Sequence, residues 1–213
     1  MELPLFPLST VLYPGAPLPL HIFEERYREM FARVLDGERR FGVVAITSGR
    51  DVDTAPDYSP VGCIAHVREV RPYADGRMDV VAKGAARFRI GRVTRTTPYI
   101  TAEVAVLEDV LGDGAEARSA VVRDLFDRYS SALLELAGEE PDDVDLPDDP
   151  VEASWLVAAG LQIDLPDRQR LLTISDTAER LLAEMRLLRR ELALLERLQA
   201  AGPAPMAGPF SLN

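Results

Sequence analysis

Residues 61–90 read VGCIAHVREVRPYADGRMDVVAKGAARFRI, and their pattern predicts the structure of the first half of the chain. From Val61 to Val67, one set of alternate positions is wholly apolar, which is the period of a β-strand. Asp75-Gly76 lies between two strand-like segments and predicts a β-hairpin. Gly84 interrupts the returning segment and predicts a bulge or a bend. The stretch therefore predicts two antiparallel strands.

Further strand-like segments flank this hairpin. Leu3–Leu8 is apolar, and Pro4 and Pro7 favour an extended conformation while removing two amide donors. This predicts an edge or irregular strand whose prolines discourage aggregation. Apolar residues spaced by three and four from Phe23 to Val34 predict one helix, and the polar stretch Ser48–Pro60 predicts a loop. Many short strands with one helix predict a small, partly closed barrel.

The second half of the chain has the 3.6-residue period of helices after Gly114. Residues 138–150 interrupt this pattern with seven acidic residues and three prolines, and predict a soluble connector. Asp176, with Glu179 three positions later, predicts a capping box that opens a long leucine-rich helix. The predicted fold class is α+β, with a β-rich barrel in residues 1–112, a helical bundle in 113–201 and a Pro/Gly-rich tail in 202–213.

Charge and composition exclude several classes of protein. The net charge is −11, and it is concentrated in residues 111–213, which carry 10 basic and 20 acidic side chains. This sign argues against nucleic acid and anionic lipid as partners. No apolar run reaches the ~20 residues of a membrane helix. The first residues also lack the pattern of a signal peptide, so we expect a cytoplasmic location and no membrane partner.

Several motifs follow one another in a fixed order along the chain. They are LPLFPL at 3–8, VLYPG at 11–15, LPL at 18–20 with Glu25, VGCIA at 61–65, KGAARFRI at 83–90, Tyr99 with Glu103 and Val104, and DTAERLL at 176–182. In order and spacing they resemble the N-terminal, substrate-binding domain of the Lon proteases. The resemblance implies a PUA-like β pseudo-barrel followed by a helical bundle. It also implies a role in binding unfolded or tagged polypeptides.

The resemblance does not extend to catalytic machinery. The chain has no Gly-x-x-x-x-Gly-Lys-Ser/Thr phosphate loop, and its only lysine, Lys83, lies in the β half. We therefore expect a free-standing, non-catalytic binding module that needs no cofactor and no metal. The expected partners are unfolded or extended polypeptides, with a protease or chaperone that the chain assists as a further partner. The leucine stripe of the last helix leaves a monomer and a weak homodimer both open.

Two groups of residues are candidates for contact with polypeptide. Glu24, Glu25 and Arg26 stand where an apolar strand meets a helix, and predict a polar rim beside an apolar groove; the alternative is a solvated first turn. Residues 68–95 carry eight basic and three acidic side chains. From this segment the candidates are Arg68, Arg87 and Arg89.

The basic segment has two other interpretations. In one, its arginines pack against the acidic helical half of the same chain. In the other, the chain is an RNA-binding or RNA-modification accessory protein, since some PUA-like folds bind RNA. The net charge and the lack of interleaved aromatic residues disfavour RNA.

The remaining candidates for chemistry are few. His21, His66 and Cys63 are the only histidines and the only cysteine, and they do not complete a plausible zinc site. We expect both histidines to be structural or on the surface. Cys63 lies on an apolar strand face, which predicts an inert thiol in the core.

Overall fold

The computed structural model describes residues 1–48, 57–140 and 145–201, which form a seven-stranded sheet and five helices. The strands are β1 (Glu2–Leu8), β2 (Pro17–Ile22), β3 (Arg40–Ser48), β4 (Asp57–Tyr58), β5 (Val61–Pro72), β6 (Met78–Arg95) and β7 (Ile100–Leu107). The helices are α1 (Glu25–Asp36), α2 (Ala115–Ala137), α3 (Pro150–Gly160), α4 (Leu165–Thr173) and α5 (Thr177–Ala201). These elements confirm the α+β class.

The predicted hairpin is formed by β5 and β6, which pair antiparallel as far as Pro72 and Met78. Its turn is closed by a hydrogen bond from the amide of Tyr73 to the carbonyl of Arg77. Gly76 has φ +83° in this turn, a left-handed conformation that glycine adopts without steric cost. The hairpin prediction is therefore confirmed down to its turn residues.

Gly84 also has the predicted irregularity, because the pairing of β5 with β6 shifts register beside it. A Cβ atom at this position would lie 2.0 Å from the carbonyl oxygen of Tyr13. The loop that carries Tyr13 can approach β6 this closely only because the residue is glycine. This contact brings the Tyr13 ring to the side of the barrel on which the helices pack.

The N-terminal strand β1 is not an edge strand, so the edge alternative of that prediction is wrong, while its change of partner at Leu5 makes it irregular. Its residues 2–5 pair antiparallel with β7, and its residues 5–8 pair parallel with β3. These pairings close a ring in the order β1–β7–β6–β5–β3. The strand therefore completes the barrel.

The register explains why two prolines are tolerated inside this ring. Met1 exchanges both backbone hydrogen bonds with Val104, so the alternation of the strand directs the nitrogen of Pro4 away from β7. The nitrogen of Pro7 faces the β7 side, but the pairing with β7 has ended at Leu5. Each proline nitrogen therefore points to the side on which β1 has no paired residue at that level.

Prolines protect a different strand, β2. Within the described ranges β2 pairs with β6 alone, so its other side is an open edge of the sheet. The amide of Gly84 donates to the carbonyl of Ala16, and this bond fixes which β2 amides face β6. Pro17 and Pro19 point their nitrogens to the open side. The protective role expected of the first two prolines of the chain thus falls on these two.

Two hydrophobic cores lie on opposite sides of the sheet. The core inside the barrel consists of Leu3, Leu5, Val44, Ile64, Phe88, Ile100, Ala102 and Val104. The other lies between the outside of the barrel, α1 and the later helices, and α1 contributes Tyr27, Met30, Phe31 and Val34 to it. Phe23, predicted as part of that helical stripe, instead precedes α1 and is 60% exposed.

The last helix, α5, begins where the sequence signal predicts. The side chain of Asp176 accepts a hydrogen bond from the amide of Glu179 at 2.9 Å, as the capping box predicts. The predicted loop before β5 contains the short strand β4, while residues 49–56 lie outside the described residues. Residues 141–144 of the acidic connector and the tail 202–213 lie outside them as well. The division of the chain at residue 112 remains a prediction.

Candidate functional site

One face of the three-stranded sheet β2–β6–β5 is exposed to solvent. The register places Pro19 opposite Val81 and His21 opposite Asp79. The His21 ring lies 6.1 Å from the ring of Phe23 and 6.0 Å from that of Tyr73, between centroids. We name this surface the aromatic face and define it by Pro19, His21, Phe23, Tyr73, Asp79 and Val81.

The aromatic face exposes apolar side chains that a folded core would bury. Phe23 is 60% exposed, Val81 38% and Tyr73 37%. Contiguous exposed apolar surface on a folded domain marks a place of interaction with another molecule. This surface was not predicted from the sequence. Its signal was the alternation along β2, where buried Leu18 and Ile22 imply that the residues between them point outward.

Asp79 organises the polar part of the aromatic face. Its Oδ1 lies 2.6 Å from Nδ1 of His21, and the hydroxyl of Tyr73 donates to its Oδ2. These hydrogen bonds, first from His21 and then from Tyr73, lower the pKa of Asp79 below its ordinary value. The guanidinium groups of Arg71 and Arg77 each lie 5.8 Å from the centre of the Tyr73 ring. The result is an apolar surface whose margin carries both signs of charge, because Arg77 pairs with Asp75 at 2.7 Å and Arg71 lies opposite Asp79.

Glu24, Glu25 and Arg26 lie directly beside this surface, since they follow Phe23 at the start of α1. Glu24 is the N-cap residue, and its carboxylate accepts a hydrogen bond from Nε of Arg26 at 2.9 Å. The guanidinium of Arg26 lies 4.4 Å from the centre of the Tyr27 ring, and Glu25 is exposed. Glu24 and Arg26 are thus held by contacts within the chain, and a polypeptide-binding role for these three residues remains a prediction.

The three arginines predicted with them are not brought together. Arg68 is exposed in the register shift between Val67 and Glu69, on the strand that borders the aromatic face. Arg89 is exposed ten residues beyond Asp79 on β6, which corresponds to roughly 30 Å along an extended strand. Arg87 is only 1% exposed.

The prediction that Arg87 contacts polypeptide is therefore wrong, because its guanidinium is buried and binds groups of the same chain. It forms an ion pair of 2.9 Å with Oδ1 of Asp109 and donates to the carbonyl of Leu172 at 3.2 Å. A further bond of 3.3 Å reaches the hydroxyl of Ser175. For this residue, packing against the helical half, which was the alternative interpretation, is what the structure shows.

Asp109 joins this arginine to a second buried one. Its Oδ1 lies 3.2 Å from a guanidinium nitrogen of Arg180, and its Oδ2 accepts a hydrogen bond from Nε1 of Trp155 at 3.1 Å. The Arg180 guanidinium lies 3.5 Å from the centre of the Trp155 ring. Burial lowers the pKa of Arg87 and of Arg180, although the charge of Asp109 opposes this in both.

A carboxyl group completes this arrangement. The hydroxyl of Ser154 accepts from Nε of Arg180 and donates to Glu184, both at 2.7 Å. Glu184 is fully buried, and burial raises its pKa to about 8. We name this set the interface cluster and define it by Arg87, Asp109, Ser154, Trp155, Arg180 and Glu184. It joins the barrel to the helices.

A cleft of about 360 Å³ opens beside the interface cluster, between the barrel and α3. Lys83 and Ala85 line it from β6, and Glu152 and Trp155 line it from α3. The molecule therefore has an accessible furrow between its two halves. The charges on its walls are mixed, so it favours neither an anion nor a cation.

The one cysteine of the chain lies in the core. Cys63 is buried, and burial raises the pKa of its thiol to about 12, which makes it unreactive at neutral pH. No group of three or more His, Cys, Asp and Glu side chains in the described ranges has the arrangement of a metal site. None of the described helices is long and apolar enough to cross a membrane.

Comparison with known proteins identifies the family. The family model of the ATP-dependent protease La (LON) substrate-binding domain matches residues 2–190. The chain belongs to this family. It is 30% identical over 203 residues to Lon protease 2 of Herpetosiphon aurantiacus, covering 92% of this chain and 24% of that protease. The Lon protease of Escherichia coli is 26% identical over 202 residues, with 92% and 26% covered. The chain thus spans about a quarter of the length of the curated relatives it matches.

Solved structures of Lon N-terminal domains have the same fold. The Lon N-terminal domain protein from Xanthomonas campestris has a TM-score of 0.61 and 25% identity, covering 95% of this chain and 99% of that one. The N-terminal domain of the Mycobacterium avium complex Lon protease has a TM-score of 0.67 and 21% identity, covering 89% and 98%. The fold expected from the sequence motifs is therefore confirmed.

Proposed function

We propose that this Lon-type domain is a non-catalytic substrate-recognition module that binds exposed apolar segments of unfolded or extended polypeptides on its aromatic face. The observation that carries the proposal is the row of rings formed by Phe23, His21 and Tyr73, which lies on a sheet surface with its largest apolar member 60% exposed. In the related Lon proteases this domain precedes most of the chain. We infer that the polypeptides bound here are substrates of proteolysis.

The chemistry of the surface suits an extended apolar segment. Phe23, Tyr73 and Val81 present apolar area whose removal from water favours association. Large rings supply much contact area while losing little side-chain freedom. The margin of this surface carries carboxylates as well as Arg71 and Arg77, so we expect only a weak preference for the charge of the client. Such a surface selects clients by exposed apolar side chains.

The open edge of β2 limits how a client is held. An extended segment that adds to a sheet needs alternating N–H and C=O groups along the edge. On the open side of β2, Pro17 and Pro19 supply only carbonyl oxygens, and His21 is the remaining outward amide. We therefore expect client segments to be held chiefly through side chains, with few main-chain hydrogen bonds.

The test is binding of a labelled, reduced and carboxymethylated protein, measured by fluorescence anisotropy against Phe23→Ser and Tyr73→Ser. We expect each variant to bind about tenfold more weakly, which corresponds to ~1.4 kcal/mol. Val106→Ser is the matched control, because Val106 is 50% exposed on β7 and lies outside the aromatic face. Equal affinity of all three variants and the wild type would show that clients bind elsewhere.

A further inference from the structure

The groove between α4 and α5 differs from the rest of the helical half in the sign of its charge. Its volume is about 220 Å³, and its floor is apolar, with Leu171 1% exposed. Its rim is basic, although residues 111–213 together carry twice as many acidic as basic side chains. The residues that define its floor and rim are Asp167, Arg170, Leu171, Arg186, Leu187 and Arg190.

The three arginines of the rim differ in what they already bind. Arg190 is occupied, since it lies 2.9 Å from both Asp167 and Glu191. Arg170 and Arg186 are exposed and have no ion pair within residues 1–48, 57–140 and 145–201. The groove thus presents two uncompensated guanidinium groups, one from each helix, on either side of an apolar floor.

We propose that this groove binds an acidic segment of a partner polypeptide that carries an aliphatic side chain among its carboxylates. The aliphatic side chain covers the half-buried Ala183 and Leu187, and flanking carboxylates bind Arg170 and Arg186. Arginine suits this role because its planar fork binds carboxylate through two parallel hydrogen bonds. The acidic surroundings of the groove repel carboxylates placed elsewhere on the helices, so the charges favour one register of the partner. The site lies on different elements from the aromatic face and does not depend on it.

The test is anisotropy of a short labelled peptide in which one leucine is flanked by aspartates and glutamates. We expect Arg170→Gln and Arg186→Gln each to weaken binding about tenfold at low salt. We expect added potassium chloride to weaken binding to the wild type. Arg197→Gln is the matched control, because it removes the same charge from an exposed position of α5 about 16 Å along the axis from Arg186. Its affinity should stay within twofold of the wild type.

Changes to the peptide and to the aromatic face test whether the groove itself holds the probe. Replacing the leucine of the probe with serine should weaken binding, and replacing its acidic residues with lysine should abolish it. Phe23→Ser should bind the acidic peptide as the wild type does. The proposal is overturned if Arg170→Gln and Arg186→Gln behave like Arg197→Gln. Loss of binding in Phe23→Ser, or displacement of the peptide by a short single-stranded RNA, would overturn it equally.

Discussion

Two clusters in this molecule are built from the same residue types, one buried and one exposed. Each has an aspartate that accepts a hydrogen bond from an aromatic side chain, and two arginines close to that aromatic ring. The buried cluster consists of Asp109, Trp155, Arg87 and Arg180. The exposed cluster consists of Asp79, Tyr73, Arg71 and Arg77.

Burial gives these similar clusters different roles. The guanidinium groups of Arg87 and Arg180 have left water, whereas the side chain of Asp109 is 22% exposed. Removing the charge of Asp109 therefore leaves two buried guanidinium groups without compensation. Around Asp79 water screens each charge, and the same contacts contribute little to stability. The buried cluster therefore holds the helices on the barrel, whereas the exposed one leaves its aromatic ring available to other molecules. Substitutions in each cluster test this difference.

The largest effect is expected from Asp109→Asn. The substitution keeps the size of the side chain and removes the one negative charge that Arg87 and Arg180 share. We expect the free energy of unfolding to fall by about 3 kcal/mol, the lower end of the cost of breaking a buried ion pair, because the side chain of Asp109 is partly exposed to water. Urea unfolding followed by Trp155 fluorescence measures this loss, because the ring lies in the cluster.

Asp113→Asn is the control for this measurement. Asp113 is an exposed aspartate four residues away, so the substitution makes the same chemical change without a buried partner. We expect its free energy of unfolding to match that of the wild type. If Asp109→Asn were as stable as Asp113→Asn, the buried cluster would not hold the two halves together.

The hairpin and the helices were predictable from sequence because each depends on local signals. Asp75-Gly76 specifies its own turn, and Asp176 caps its own helix. The role of Leu3–Leu8 was not predictable in the same way. Its two prolines suit an edge strand, but here each proline nitrogen points to the side on which β1 has no paired residue. That arrangement depends on closure of the ring by residues about 40 and 100 positions away.

The sites were less predictable than the fold for a related reason. From the local sequence, Arg87 and Arg89 are equally good candidates for a binding surface. In the structure Arg87 is buried against the helices, whereas Arg89 is exposed. The difference comes from Asp109 and Arg180, which no local pattern connects to β6. Phe23 and Tyr73 are 50 residues apart in sequence, and only the pairing of β2 with β6 brings both rings to His21.

The buried carboxyl group beside Arg180 should make stability depend on pH. Burial raises the pKa of Glu184 to about 8, against 4.5 for an ordinary glutamate. The folded state therefore holds a proton that the unfolded state releases above about pH 4.5. The stability that this group contributes is present below that pH and is lost as the pH rises through 8. In this window we expect a loss on the order of 1 kcal/mol per pH unit.

Glu184→Gln should remove this dependence, because the amide does not titrate and still accepts a hydrogen bond from Ser154. Urea midpoints measured at pH 5 and pH 8 should therefore differ less in the variant than in the wild type. Glu179→Gln changes an exposed glutamate of the same helix and should retain the wild-type difference. Parallel pH profiles for Glu184→Gln and the wild type would mean that Glu184 is not protonated in the folded protein.

The smallest effect is expected from Asp79→Asn, the counterpart of Asp109→Asn in the exposed cluster. Asn keeps the shape of the side chain but loses the charge that aligns His21 and Tyr73. Because water already surrounds these groups, we expect the urea midpoint at pH 7 to equal that of the wild type. We expect binding of the carboxymethylated client to weaken by about threefold, since the Tyr73 ring loses its fixed orientation.

A fall in stability comparable to that of Asp109→Asn would show that the aromatic face is part of the framework. In that case the contacts of its exposed rings would stabilise the fold, and the rings would not be free to bind a client.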